Sequence, residues 1–234
     1  MSTESPLSAG LYVVGTPIGN LGDLSFRAVA VLRGSAVIAC EDTRVTGNLL
    51  RRFAVDRPLV AYHEHNEREV APLIAEKIVA GEAVALASDA GTPTISDPGF
   101  RLVRECRRRR LPVFAVPGPC AAIAALSASG LPTDAFLFLG FPPSKTIARE
   151  NFLRQYGEFP HTLIFHESCH RIEKFLISLV AVFGEERVIA VARELTKLHE
   201  TWHVGPLGVV HGDLLRFPRR GEFTILVAPK NFIL

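Results

Sequence analysis

Short apolar runs alternate with helix-length amphipathic segments throughout the first half of the chain. The runs at 11–15, 36–40, 59–62, 83–87 and 112–116 have the length and β-branched content of buried strands. Between them lie helix-like segments at 23–33, 43–53, 67–80 and 97–110, the first with Asp23 as cap, the third stopped by Gly81. Asp97-Pro98 has the order of an N-cap followed by proline at the first helical position. A βα unit repeated in this way predicts an open, mostly parallel α/β sheet. The second half is less regular. Strands are expected at 135–139, 162–166, 188–193, 200–204 and 223–227, and helices at 144–156, 169–183 and 206–217. Two strands there follow one another directly, which predicts a mixed sheet. The boundary falls between Val116 and Phe136, giving domains 1–118 and 119–234.

The chain of 234 residues and 25.6 kDa buries on the order of 70% of its extended surface, enough for two modest cores. Its formal charge of +2 excludes a free-standing nucleic-acid arm, so any basic surface is local. Cys40, Cys106, Cys120 and Cys169 form no C-x-x-C pair, which suits a reduced, cytoplasmic protein. Residues 1–10 carry neither a basic nor an apolar signal region. The uncharged stretch 111–133 is interrupted by four prolines and reads as strand, turn and buried helix rather than a membrane span.

Three Gly/Pro-rich loops follow expected strands: Gly15-Thr16-Pro17-Ile18-Gly19-Asn20-Leu21-Gly22, residues 88–99 (SDAGTPTISDPG) and residues 116–121 (VPGPCA). In a parallel sheet such loops share the carboxyl edge, where ligands bind. Their convergence favours one extended ligand held by main-chain groups. The first loop is G-x-x-x-G-x-x-G rather than G-x-G-x-x-G, and Pro17 removes an N–H where a pyrophosphate needs one, so a dinucleotide reading is weak. Glu41-Asp42-Thr43-Arg44 forms a charged cluster that an internal Asp–Arg pair and helix cap would explain. His63-Glu64-His65 has a metal-like spacing without a third ligand. His166-Glu167-Ser168-Cys169-His170 matches H-E-x-x-H, but His166 follows a strand-like run and the downstream glycine is missing. Arg107–Arg110 complement a helix C-terminus, and with Arg101 and Arg104 they could meet phosphates.

Residues 11–20 (LYVVGTPIGN), 41–44 (EDTR), 62–67 (YHEHNE), 88–99, 117–121 (PGPCA), 127–134 (SASGLPTD) and 192–197 (ARELTK) together resemble the small-subunit ribosomal RNA methyltransferases of the tetrapyrrole methylase superfamily. The resemblance covers nearly the whole chain in order. It implies two α/β domains of the tetrapyrrole methylase type, with S-adenosylmethionine in a cleft between them, in a homodimer. It implies 2′-O-methylation of a cytidine in the decoding region of 16S ribosomal RNA, with S-adenosylhomocysteine as product. The small ribosomal subunit is then the partner, and neither a membrane nor a metal is involved. Cys120, His166 and Cys169 depart from the residues usual in that family, and its frequent C-terminal extension is short or absent.

The chemistry agrees. A sulfonium cation suits carbonyls and apolar walls, and the three loops contain no Lys or Arg. The cofactor-binding candidates are Pro17, Asp89, Ala90, Gly91, Thr92, Ile95, Gly118, Pro119, Ala121, Ala192, Arg193 and Glu194. Asp89 suits an ammonium or a ribose hydroxyl, and glycines leave room for backbone approach. A base for a ribose hydroxyl is sought among Asp42, His63, Glu64, Glu167 and Lys197, with Arg44 and Arg193 orienting phosphate or acids. The alternatives are a tetrapyrrole methyltransferase of the same fold, a Rossmann oxidoreductase, and a non-enzymatic ribosome-assembly factor.

Overall fold

The computed structural model describes residues 6–214, 216 and 220–234, which divide into two compact units, Met1–Cys120 and Ala121–Leu234. The first is built on β1 (Gly10–Val14), β2 (Val37–Cys40), β3 (Leu59–Ala61), β4 (Ala83–Ala87) and β5 (Val113–Val116). All pair in parallel, in the order β3-β2-β4-β1-β5. Alternate residues of each strand point to opposite faces. Tyr12, Val14, Ile38, Ala83 and Ala85 meet α1 (Phe26–Gly34) and α2 (Thr43–Arg52). Leu11, Val37, Ala39, Val84 and Leu86 meet α3 (Glu67–Val79) and α4 (Phe100–Arg108). Both faces are covered, which is why the strands read as continuous apolar runs.

This winding places the functional edge. The helices after β1 and β2 lie on one face, whereas the helix after β4, which sits between them, lies on the other. The loops leaving β4 therefore diverge from those on both sides. Such a point of divergence opens a crevice at the carboxyl ends of the strands.

Two expected helix starts move. The α1 cap is Ser25, whose Oγ accepts from Ala28 N at 3.1 Å, because residues 21–23 form a separate 3₁₀ turn capped by Asn20. The α4 cap is Gly99 at φ 136°, not Asp97, since the preceding loop keeps its own conformation up to that residue.

The second unit holds β6 (Phe136–Phe138), β7 (Thr162–Ser168), β8 (Val188–Arg193), β9 (Thr201–Pro206) and β10 (Glu222–Val227), in the order β6-β7-β10-β8-β9. Only β6 and β7 pair in parallel, so the sheet is mixed. One face packs on α6 (Thr146–Arg154), α7 (Ile172–Phe183) and α8 (Leu207–Leu214). The buried helix expected in 111–133 is α5 (Ala121–Ala128), against β7 and β10. β7 continues through Ser168, so α7 starts three residues later than expected. Residues 215 and 217 of the expected helix 206–217 lie outside the described residues. Among the described residues no helix is long and apolar enough to cross a membrane.

Arg149 is the largest fully buried side chain among the described residues. It donates to Ser178 Oγ at 2.9 Å and to the Ser144 carbonyl at 3.0 Å, tying the loop before α6 to α7. Replacing it by Leu leaves those acceptors without a donor, at about 1–3 kcal/mol each when buried. Arg149→Leu is expected to lose about 2 kcal/mol in urea titrations and to open residues 140–145 to limited proteolysis. Wild-type stability together with wild-type protection would contradict this role.

Candidate functional site

The three Gly/Pro-rich loops leave β1, β4 and β5, which are neighbours in the sheet. Gly15 and Gly118 touch backbone to backbone: a Cβ built on either would lie 2.7 Å from the other's Cα. Thr16, fully buried, pairs with Gly91 in both directions, N–H to O at 2.9 and 3.2 Å. Its hydroxyl lies 3.0 Å from the Ser88 carbonyl and 3.2 Å from that of Gly91. Thr92 Oγ1 donates to the Pro119 carbonyl at 2.9 Å. Each loop is thus bonded to or packed on the other two.

The middle loop is also conformationally unusual. Gly91, Thr94, Ser96 and Gly99 all have positive φ, at 87°, 77°, 63° and 136°. Two of these are not glycine, and such backbone persists where surrounding structure over-determines it. Beside the loops lies a cavity of about 280 Å³ whose apolar walls include Pro17, Leu21, Val45 and Leu49, with Asp89 and Arg52 as its charged residues.

Carboxylates gather at the same edge. Glu41 and Asp42 leave β2, Asp89 leaves β4, and Asp97 follows in the middle loop. Asp89 accepts from the Asp42 backbone N–H at 3.1 Å. Burial raises the Asp89 carboxyl, and the Asp42 charge adds to the rise. Glu41 is raised by burial and then by Asp89 and Glu64. Asp97 is pushed up to about 6, by burial first and then by the charges of Glu41 and Asp89. The edge holds negative charge that no cation of its three loops offsets. Glu41 is expected only as part of the charged cluster that ends the second strand and Asp97 only as a helix cap; neither they nor Thr16 are among the catalytic or cofactor-binding candidates. Only the strand order brings them together.

Several candidates for a base are occupied. Asp42 caps α2, accepting from Arg44 N at 2.8 Å, and its carboxylate is gripped by the Arg44 side chain. The Arg44 hydrogen bonds hold it well below the usual carboxylate range, which removes it as a base and leaves Arg44 committed. Lys197 lies 2.9 Å from Glu194 and 3.1 Å from Glu222. Burial lowers the Lys197 ammonium, but these two carboxylates outweigh it and the net shift is upward, so it remains protonated. Glu167 has no exposed side-chain surface and pairs with Arg171. His63 and Glu64 follow β3 at the edge of the first sheet, and the buried Nδ1 of His63 has no hydrogen-bond partner among the described residues.

The remaining candidates belong to the second unit. The registers Glu222↔Ser168 and Phe223↔Arg193 gather the ends of β7 and β8 at the start of β10. Arg193 donates to the Arg220 carbonyl at 2.6 Å, Ala192 is buried beside it, and Glu194 accepts from Glu222 N at 2.9 Å. Ala121 opens α5. The H-E-x-x-H match lies in β7 and the turn after it, where His166 Nδ1 sits 3.2 Å from Thr224 Oγ1. Its two histidines therefore do not share a helical face.

Residues 10–210 match the family model described as tetrapyrrole (corrin/porphyrin) methylases. A protein of Xylella fastidiosa (strain Temecula1) named ribosomal RNA small subunit methyltransferase I is 50% identical over 219 residues, 93% of this chain and 80% of that protein. Its namesake from Escherichia coli O157:H7 is 49% identical, over 93% and 77% respectively. Among solved structures, uroporphyrin-III C-methyl transferase from Thermus thermophilus, complexed with S-adenyl homocysteine, aligns with a TM-score of 0.63. That alignment has 19% identity and covers 94% of this chain and 97% of that one.

Two outcomes test this geometry. Thr16→Val keeps the side-chain shape and removes the hydroxyl that bonds the middle loop. It should cost about 1–2 kcal/mol in urea unfolding, and an unchanged stability would contradict the stitching. Asp97 is the second. Its folded carboxyl is raised from an ordinary 3.8 to about 6. The folded state binds more protons than the unfolded across that window, so stability falls as pH rises through it. With allowance for solvent screening the loss is about 1–2 kcal/mol. Asp97→Asn should therefore gain that stability at pH 7.5 and almost none at pH 4. A gain equal at both would contradict the electrostatic cause.

Proposed function

We propose that this chain, which belongs to the tetrapyrrole (corrin/porphyrin) methylase family, transfers a methyl group from S-adenosylmethionine to small-subunit ribosomal RNA. The observation that carries the reading is the stitched edge of three cation-free loops surrounded by raised carboxylates. That set fits a ligand with a sulfonium and an ammonium group. The near half-identity to small-subunit ribosomal RNA methyltransferases of bacteria favours RNA over a tetrapyrrole ring. The Thermus thermophilus uroporphyrin-III C-methyl transferase structure, at 19% identity, shares the fold alone.

S-adenosylmethionine supplies a methyl group on a positively charged sulfur. The chain's part is to hold and orient. Asp89, Glu41 and Asp97 provide negative potential. Pro17 and Ile95 offer apolar surface, while Ala90, Gly91, Thr92, Gly118 and Pro119 present main chain that approaches closely. The acceptor in this reading is the 2′-oxygen of a cytidine ribose. It gains a bond to carbon as the sulfur–carbon bond breaks, and its proton passes to a base. His63 is assigned that task. Its buried ring nitrogen is unclaimed, whereas Asp42 and Lys197 are held in ion pairs. Glu64 follows it in the chain. Positioning alone contributes up to about 7–11 kcal/mol to such a reaction. The reading takes the assembled small subunit as substrate and a homodimer as the working unit, the latter open to sedimentation analysis.

The test has two arms. In calorimetry, S-adenosylmethionine affinity should rise by about tenfold from pH 5 to pH 7 as the raised carboxylates ionise. Purified protein should methylate small subunits from cells that lack it, at a ribose 2′-oxygen, and should leave porphyrinoids unmodified. His63→Gln should lower the rate by about 10²–10⁴ with little change in cofactor affinity. A pH-independent affinity would overturn the electrostatic reading, and transfer to porphyrinoids alone would overturn the substrate.

A further inference from the structure

Positive charge in the first unit is concentrated on one helix. Residues 100–110 hold six arginines against Glu105 alone, a net of +5 in a chain whose total is +2. Leu102 and Cys106 face the sheet and are fully buried. Arg101, Arg104 and Arg108, at i, i+3 and i+7, consequently form one outward stripe. α3 packs alongside α4, and the groove between them, about 270 Å³, is lined by Arg68, Arg101, Arg104 and Arg108 together with Glu67 and Glu105.

The structure divides these cations into two kinds. Arg101 pairs with Glu67, Arg108 with Glu105 at 2.8 Å, and Arg109 with Glu105 at 2.6 Å and with Glu76. The pairs to Glu67 and Glu76 fasten α4 to α3, those to Glu105 stay within α4 and its end, and together they take Arg108 and Arg109 out of the run of four arginines. Arg68 and Arg104 look into the groove from opposite walls, and both are exposed. Among the described residues neither has an ion pair or hydrogen bond. The groove also has a direction. α3 begins at Glu67, immediately after His63, Glu64 and Asn66, and α4 begins at Phe100, immediately after the middle loop. Both walls start at the edge that carries the candidate site and run back from it. At that end Phe100 is 64% exposed.

We infer that the α3–α4 groove is a phosphate-binding track for the backbone of the substrate RNA, with Arg68 and Arg104 each neutralising one phosphate. Guanidinium forks match phosphate oxygens in pairs. Glu67 and Glu105 hold Arg101 and Arg108 at the groove margin, so the net field along it stays positive. The exposed Phe100 ring offers a stacking surface where the strand reaches the edge. This inference rests on the RNA reading above and adds to it where the strand lies beyond the reacting nucleotide.

The experiment compares wild type, an Arg68→Gln/Arg104→Gln double variant and an Arg68→Lys/Arg104→Lys double variant. Each is titrated with unmodified small subunits and with polyuridylate between 50 and 300 mM salt, and methyl transfer is followed in parallel. The Gln variant should reduce the slope of log affinity against log salt by about 1.4–1.8, since each of the two phosphate contacts contributes roughly 0.7–0.9. Its apparent KM for subunits should rise by about 10- to 50-fold with kcat and S-adenosylmethionine affinity unchanged. The Lys variant should keep most of the slope. Equal slopes for wild type and the Gln variant, or a KM unchanged by it, would overturn the track while leaving methyl transfer standing. A wild type that neither binds RNA in a salt-dependent way nor methylates subunits would overturn the functional reading and this inference with it. A Gln variant that loses affinity for small subunits but not for polyuridylate would reassign the groove to a protein of the subunit and overturn the track.

Discussion

Two glycine backbones in contact set the geometry of the first unit's functional edge. Gly15 and Gly118 approach so closely that no side chain fits at either. That contact holds the loop after β1 against the loop after β5, and Thr16 then has one available partner strand, the backbone of Gly91. Sheet order does the rest. Because β4 connects to the opposite face from β1 and β2, its loop is the one that must cross the crevice, and it does so with four residues at positive φ. The cost of that backbone is offset by the hydrogen bonds around it, from the Thr16 backbone and hydroxyl and from the loop's own Thr92 hydroxyl.

Electrostatics follow from the same topology. Strands of a parallel sheet end together, so acids at the ends of β2 and β4 are brought near one another whatever lies between them in sequence. Mutual repulsion and partial burial raise Glu41, Asp89 and Asp97. Asp42 escapes because Arg44, two residues on, satisfies it. An edge of this kind favours a cationic ligand and disfavours a bare phosphate, while the arginines of α4 sit on helical surface outside it. In the proposed reading, cofactor charge and nucleic-acid charge address different parts of one unit.

Much of the fold was legible in the residues. β4 and β8 have the bounds that their apolar runs indicate, and βα alternation predicts the parallel sheet. Errors concentrate where local signals compete. Asp97-Pro98 carries a helix-start pattern, yet the loop's tertiary bonds delay the helix to Phe100. β7 runs on past its expected end at His166, through the polar Glu167 and Ser168, because β10 offers partners along its length. For the site, glycine and proline marked the three loops, and all three do meet. What one residue's neighbours reveal is less for charge: Asp42 and Lys197 look like available catalytic groups until their partners are placed, and Asp97 looks like a cap until Glu41 is seen beside it. Charge state depends on groups distant in sequence, which pattern reading does not reach.

The central claim is that the loops after β1, β4 and β5 act as one binding surface. Hydrogen–deuterium exchange of the intact protein with and without S-adenosylmethionine measures this most directly. The account predicts that saturating ligand slows exchange in residues 15–22, 88–99 and 116–121 together, with the helical surface of α4 unaffected. Protection confined to a single loop, or absent from all three while the ligand is demonstrably bound, would contradict it.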